Sequence, residues 1–448
     1  MSRSKLFSKN SKRTGNRSHG CRCSCICLPA AESNRYFHLL ERHPYLCSLF
    51  VCLLLNALYF GGEAYLAQNA VLLETLALLA AGAAVLWRLV RYQPQKKPAA
   101  VCVSVVYTLL VLAGAWCYHE ARHSGLWVLV GGCAVLSGLF WLTRKQYHNQ
   151  RRRVSLLLLG TSFLLKFFYV CYTPITRRQH DVGKFGDTDN HAGYITYLLQ
   201  HHQLPDFDPR GHWQFYHPPL HHMISALWLW LSEHVFGISN AAAQESLQTL
   251  SLFYAMAIVI TAYRILRHFR LEGMALYVPL AVVAFHPSFI LFSGSINNDA
   301  LSVVFILGAV LWTLKWYEKQ TWEGIVKIAL CIGLGMMTKL SSAMVAIPVA
   351  AVFLVVLVRQ QRQKNWRILG QFGGFAVICF PLGLWYPVRN LVRFGVPLTY
   401  VQEMPENSVQ YLGEQSFLSR ILDFSPHQVA SVFEQWVQRT GGSYNEYN

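Results

Sequence analysis

Apolar runs of about 17 to 22 residues recur along the chain, separated by short polar connections that are mostly basic. At 1.5 Å per residue, a helix of that length spans a hydrocarbon core of about 30 Å. The pattern predicts crossings at residues 45–60, 70–89, 100–118, 125–142 and 154–172, followed by a long polar interval. Further crossings are predicted at 247–263, 274–292, 300–316, 325–337, 343–358 and 369–388. The expected fold class is an all-α polytopic membrane protein of about eleven transmembrane helices.

The connections alternate in charge. Arg88, Arg91, Lys96 and Lys97 follow the second run, and Arg144, Lys145, Arg151, Arg152 and Arg153 follow the fourth. The turns after the first and third runs carry only Arg122. Basic excess marks the cytoplasmic side, so the amino terminus is expected inside and the interval after residue 172 outside. Residues 218–236 are apolar as well but contain His221, His222, Glu233 and His234. Counting them as a crossing would leave Arg264, Arg267 and Arg270 outside. They are instead expected to form a juxtamembrane helix on the outer interface, with Trp213, Trp228 and Trp230 as its aromatic anchors.

Composition agrees with the pattern. The chain of 448 residues is 53% hydrophobic and only 14% charged, against roughly 25% charged in soluble domains. A net charge of +17 would suit nucleic acid, but the cations sit at the ends of apolar runs, so no nucleic-acid partner is expected. Residues 1–40 read as a disordered basic cytoplasmic tail. Its Cys21, Cys23, Cys25 and Cys27 are spaced by two, unlike the usual zinc pattern, and read as composition. Residues 41–153 read as an amino-terminal four-helix membrane extension and 154–388 as the membrane core, with an outer catalytic loop at 173–246. Residues 389–448 read as an extracytoplasmic tail that ends like an incomplete one.

The polar interval holds Asp181, Asp187, Asp189, Asp206 and Asp208 among histidines and aromatics. The predicted outer mouths add Asn297, Asn298, Asp299, Lys339, Arg389, Asn390 and Arg393. Asp299 and Lys339 stand out because they lie at the edges of long apolar runs, where unpaired charge is expensive. Glu233, Glu245 and Arg393 suit ordinary solvent-facing positions. His201, His202, His221 and His222 read as interfacial polar surface rather than as ligands.

Five segments occur in order: GDTDNHAGYITYLLQHHQLP, FYHPPLHHMISALW, AFHPSFILFSGSINND, GLGMMTKLSS and WYPVRNLVRFGVPL. Together, over about residues 154–397, they resemble the C-type integral-membrane glycosyltransferases, near the protein O-mannosyltransferases and the lipid A aminoarabinose transferase. The resemblance implies the C-type membrane fold, with outer juxtamembrane helices and a polyprenyl-phosphate sugar donor entering from the bilayer. It implies transfer to a lipid, glycan or protein acceptor at the outer face of the cell membrane, by an inverting mechanism. Asp187 matches the family's catalytic aspartate and Asp189 the second acidic position. Thr188 stands where many relatives have an acidic pair, which leaves open which of the two aspartates is the base. His191, Tyr194 and His217 match substrate-side positions; Asn298, Asp299, Lys339 and Arg389 complete the expected binding set. Lys339 or Arg389 would offset charge on the departing phosphate. No cofactor is required by the residues, although Asp187, Asp189 and His191 would suit a divalent cation. The alternative reading is a transporter or flippase of lipid-linked saccharides.

Overall fold

The structure, a computed structural model, describes residues 42–59, 150–172, 175, 182–360, 366–398, 400 and 402. The chain divides into two units, Met1–Pro44 and Tyr45–Asn448, and the contacts below lie within the second. The described elements are helical throughout. They are α1 (Pro44–Tyr59), α2 (Gln150–Tyr172), α3 (Asn190–His201), α4 (Leu220–Trp230), α5 (Asn240–Ser246), α6 (Gln248–His268), α7 (Met274–Ala284), α8 (Pro287–Leu291), α9 (Asp299–Glu318), α10 (Trp322–Thr338), α11 (Ala346–Gln360) and α12 (Trp366–Phe394).

The expectation of about eleven crossings is overturned. Four helices among the described residues are long and apolar enough to cross a membrane: Asn240–His268, Asp299–Glu318, Leu340–Arg359 and Trp366–Phe394. Pro44–Leu54, Val154–Phe167 and Met274–Ala284 are shorter apolar stretches. The runs at 70–89, 100–118 and 125–142 lie outside the described residues, as do 1–40 and 403–448. The architecture is all-α and multi-pass, with four membrane-length helices in the part described.

Two of the corrected runs show why hydropathy overcounts. The run at 274–292 breaks at His286-Pro287. A residue before proline is pushed out of the helical region, and His286 is extended, with φ −61° and ψ 126°. α7 therefore stops at Ala284, and Pro287 opens α8 at a position where its missing N–H costs nothing. The last carbonyl of α7 is capped from α2. Lys166, fully buried, donates from Nζ to the Ala284 carbonyl at 2.7 Å and to Ser162 Oγ at 2.8 Å, while Ser162 Oγ itself donates to Ala284. A side-chain donor at a helix C-terminus satisfies carbonyls that the helix itself leaves unpaired. The run at 325–337 becomes α10, whose 17 residues extend about 25 Å, less than the core thickness. Thr321 caps its start by accepting from the Gly324 N–H at 3.1 Å.

Two apolar clusters organise the rest. One joins α9, α10, α11 and α12 around Trp316, Ile328, Ile332 and Met336. α10 and α12 approach closely there: a Cβ on Gly383 would lie 2.8 Å from Met336 Sδ, and one on Gly333 would lie 2.9 Å from Leu382 Cβ. Small residues at such crossings allow tight helix packing in lipid. The other cluster joins α3 and α4 to α6 and the start of α9 through Tyr194, Ile195, Phe215, Leu229, Leu250, Ile296 and Leu301. From Val182 onward the polar interval is thus not a loose loop. It is a folded cap with its own buried core, seated on the ends of α6 and α9.

Candidate active site

α3 begins where the acidic segment folds back on itself. Asp189 is extended and Asn190 takes the left-handed region at φ 68°, which asparagine tolerates better than most side chains. The Asn190 N–H donates to the Trp213 carbonyl at 3.0 Å, and the Trp213 N–H donates to Asp189 Oδ1 at 3.1 Å. His212 adds a second tie. Its Nδ1–H donates to the Thr188 carbonyl at 3.1 Å and lies 3.4 Å from Asp189 Oδ1. Asp189 therefore joins the acidic segment to the stretch before α4.

Asp187 is held differently. Its carboxylate is exposed, and Oδ2 accepts the Lys184 N–H at 3.1 Å. Its backbone carbonyl packs against Gly193 on α3, where a Cβ would stand 2.7 Å from the oxygen. The segment between Val182 and Ala192 is closed by the Ala192 N–H donating to Val182 at 2.8 Å. The two aspartates thus have separate partners on separate segments.

His191 and Tyr194 face inward from the first turns of α3. His191 Nδ1 lies 2.9 Å from His222 Nε2, and its ring also stacks with that of His217 at 6.1 Å. Tyr194 stacks on His222 at 4.2 Å and on Phe215 at 4.6 Å. Tyr386 on α12 donates its hydroxyl proton to the Phe215 carbonyl at 2.8 Å, so it accepts from Tyr194 across 3.2 Å. Burial and the neighbouring Tyr386 hold the Tyr194 hydroxyl well above its usual pKa, so it stays a donor.

His221 and His222 differ from expectation. They are buried rather than interfacial, while His201 and His202 are exposed. His221 Nε2 donates to the Ile296 carbonyl at 2.5 Å. Burial pushes His221 down to about 4 and His222 well below its usual value. Burial, then the Lys339 charge, pushes His217 down to about 3. These rings are neutral at pH 7. Residue type alone pointed to the surface; the signal missed was the position of His221 and His222 inside an otherwise apolar helix.

The predicted mouth residues divide in two. Lys339, at the end of α10, pairs with Asp299 Oδ1 at 2.5 Å in the first turn of α9. Asn298 is buried beside them and donates to the Thr338 carbonyl at 3.1 Å. With His217 and His221 feeling Lys339 and Asp299, this group borders the histidine cluster. Arg389 is committed elsewhere. Its Nη2 donates to the Pro205 carbonyl at 2.5 Å and its Nη1 to Asn390 Oδ1 at 3.0 Å, over the rings of Tyr386 and Phe394. It clamps the segment after α3, as Arg393 does through Asp206.

Among the described residues no group of three His, Cys, Asp or Glu side chains is arranged to hold a metal ion. The candidate trio does not converge: Asp189 Oδ1 accepts from Trp213 and His191 Nδ1 faces His222.

At the other end of α3, roughly 14 Å from Asp189 along the helix axis, an apolar groove of about 480 Å³ opens between α3 and α4. Leu198, Leu204, Met223, Leu227 and Trp230 line it, with His202 and Gln203 at the edge. Val235 and Phe236, a turn beyond Trp230 along the chain, are also exposed.

A family model described as dolichyl-phosphate-mannose-protein mannosyltransferase matches residues 217–385. The match runs from His217 through α4, the membrane-length helices and Lys339 to the residue before Tyr386, and it bears out the family resemblance drawn from the motifs. No curated protein and no solved structure matches the chain.

Proposed function

We propose that the protein transfers a sugar from a polyprenyl-phosphate donor to a lipid, glycan or protein acceptor at the outer face of the membrane, with inversion. The observation that carries this reading is the glycosyltransferase-family match over residues 217–385. The matched stretch includes His217, Asn298, Asp299 and Lys339, and its α4 packs on the helix that opens at Asp187–Asp189.

In the displacement, the acceptor hydroxyl oxygen bonds to the anomeric carbon as the bond to the phosphate oxygen breaks, its electron pair leaving with the phosphate. The hydroxyl proton passes to a carboxylate. Asp187 suits that role because it is exposed; Asp189 is occupied in holding the segment. Lys339 offsets the charge gathering on the phosphate, exchanging part of its contact with Asp299 for the new oxygen. Arg389, whose donors serve the fold, becomes a positioning residue. The apolar lining of the groove suits hydrocarbon, and the alternating basic connections support an outward-facing cap.

The test is transfer by the purified protein in nanodiscs from a labelled polyprenyl-phosphate sugar, followed by mass analysis of acceptors. Labelled acceptor is expected. Movement of the intact labelled lipid between leaflets without any transfer would favour a flippase instead. For orientation, a cysteine at Thr188 should react with an impermeant thiol reagent from outside and one at Gln150 should not; the reverse pattern would invert the topology.

A further inference from the structure

Four imidazoles, of His191, His217, His221 and His222, pack together with ring separations of 5.1 Å for His191–His222, 5.4 Å for His221–His222, 6.1 Å for His191–His217 and 6.5 Å for His191–His221. All are buried, and the hydrogen bonds of two of them fix where their protons are. His221 donates from Nε2 to a carbonyl, so its Nδ1, which has no hydrogen-bond partner, is a lone pair.

His222 links two elements. Its Nε2 lies 2.9 Å from His191 Nδ1, its face stacks on Tyr194, and its own Nδ1 is buried without a partner. One nitrogen of the 2.9 Å contact carries the proton. If His191 Nδ1 donated, neutral His222 would carry its proton on Nδ1, as a buried N–H without an acceptor. Orphaned N–H groups of that kind are rare and cost about 1–3 kcal/mol. The opposite assignment leaves only an unshared lone pair at the same place. His222 therefore donates, and neutral His191 carries its proton on Nε2.

We propose that His222 is a positioning residue for the sugar-transfer site: by donating to His191 Nδ1 it fixes His191 as a neutral Nε2–H donor in the first turn of α3, immediately after the Asp187–Asp189 segment. The proposal rests on reading that segment as the place of reaction. It has a chemical consequence. With Nδ1 accepting a hydrogen bond and Nε2 protonated, His191 has no free lone pair for the acceptor's proton, and that task falls to a carboxylate. The bond also keys α3 to α4 directionally, where apolar burial alone would tolerate sliding. The titratable groups around His222 are His191 and Tyr194 on α3, His217 before α4 and His221 on α4. Tyr386 lies behind Tyr194, Tyr254 of α6 faces His221, and Asp299 and Lys339 act on His221 and His217.

The test reads each histidine by deuterium exchange at its ring C2 carbon, resolved by peptide mass spectrometry over pH 5–8, on the full chain in nanodiscs. His222→Phe keeps the ring stacked on Tyr194 and removes the donor; His222→Gln restores an N–H. The His191 exchange midpoint should move up by about one pH unit in the Phe variant, a tenfold gain in proton affinity, and stay near the wild-type value in the Gln variant. In the transfer assay the Phe variant should lose tenfold or more in kcat, with donor KM changed less than threefold and the Gln variant within threefold of wild type. Should the Phe variant not purify as a single species, His222→Leu is judged by the same criteria. An unmoved His191 midpoint in the donor-less variant overturns the proposal whatever the activity. A moved midpoint with unchanged kcat overturns the positioning role. Absence of transfer by the wild type contradicts the proposed function instead, and the exchange result distinguishes that failure from a failure of the His222–His191 bond.

Discussion

The backbone carbonyl of Asp187 occupies the space that a side chain on Gly193 would need, 2.7 Å from where its Cβ would stand. The two residues are six apart in sequence, and the contact seats the acidic segment on the first turn of α3. Gly193→Ala must push one of them aside, because backbone has less freedom to yield than the end of a long side chain. In a helix interior alanine is otherwise favoured over glycine by roughly 1 kcal/mol. The expected result is an unchanged or slightly altered melting temperature with transfer reduced at least tenfold. A fully active alanine variant would show that the seating of Asp187 does not matter.

The pairing of Lys339 with Asp299 sets two substitutions against each other. Lys339→Met removes the cation offered to the donor phosphate and leaves Asp299 unpaired, so donor affinity should fall about tenfold or more. Asp299→Asn frees the ammonium and should leave donor affinity intact or improved. Equilibrium binding of a polyprenyl phosphate in nanodiscs measures both. Equal losses in the two variants would make the pair a structural bridge between α9 and α10.

Acid stability follows from the buried imidazoles. Burial lowers His221 to about 4 and His222 well below its usual value, and burial with the Lys339 charge lowers His217 to about 3. Unfolded histidines titrate near 6.5. Below that pH the unfolded chain binds protons that the folded chain refuses, so stability is full above about 6.5 and is lost as pH falls toward 4 and 3. Melting temperature in detergent should drop between pH 7.5 and pH 5, and His217→Gln should flatten part of that slope. A melting temperature that holds constant over this range would contradict neutral burial.

Periodicity made the long helices legible because burial in lipid asks only for length and apolarity. α6, α9, α11 and α12 fall on predicted runs, although their ends differ by several residues. The helix after the paired prolines was legible too, since Pro218-Pro219 favour a helix start. Hydropathy averaged over His286-Pro287 and merged α7 with α8, although the local proline rule contained the break. Lys166 could not be read as a cap, because its acceptor, the Ala284 carbonyl, lies 118 residues away. The same distance problem hid the histidine cluster. The apolar helix around His221 and His222 was a local cue that set them apart from His201 and His202, but it did not name their partners. Only the meeting with His191, Tyr194 and Ile296 buries the second pair.

The division of labour between the two aspartates is tested most directly by single-turnover transfer from a labelled polyprenyl-phosphate sugar. Asp187→Asn keeps the shape of the exposed carboxylate and removes the base, so the rate should fall by about 10²–10⁴ with donor binding little changed. Asp189→Asn retains an oxygen for the Trp213 N–H and should cost less. A near-normal rate for Asp187→Asn, whatever Asp189→Asn does, would contradict the assignment of the proton to Asp187.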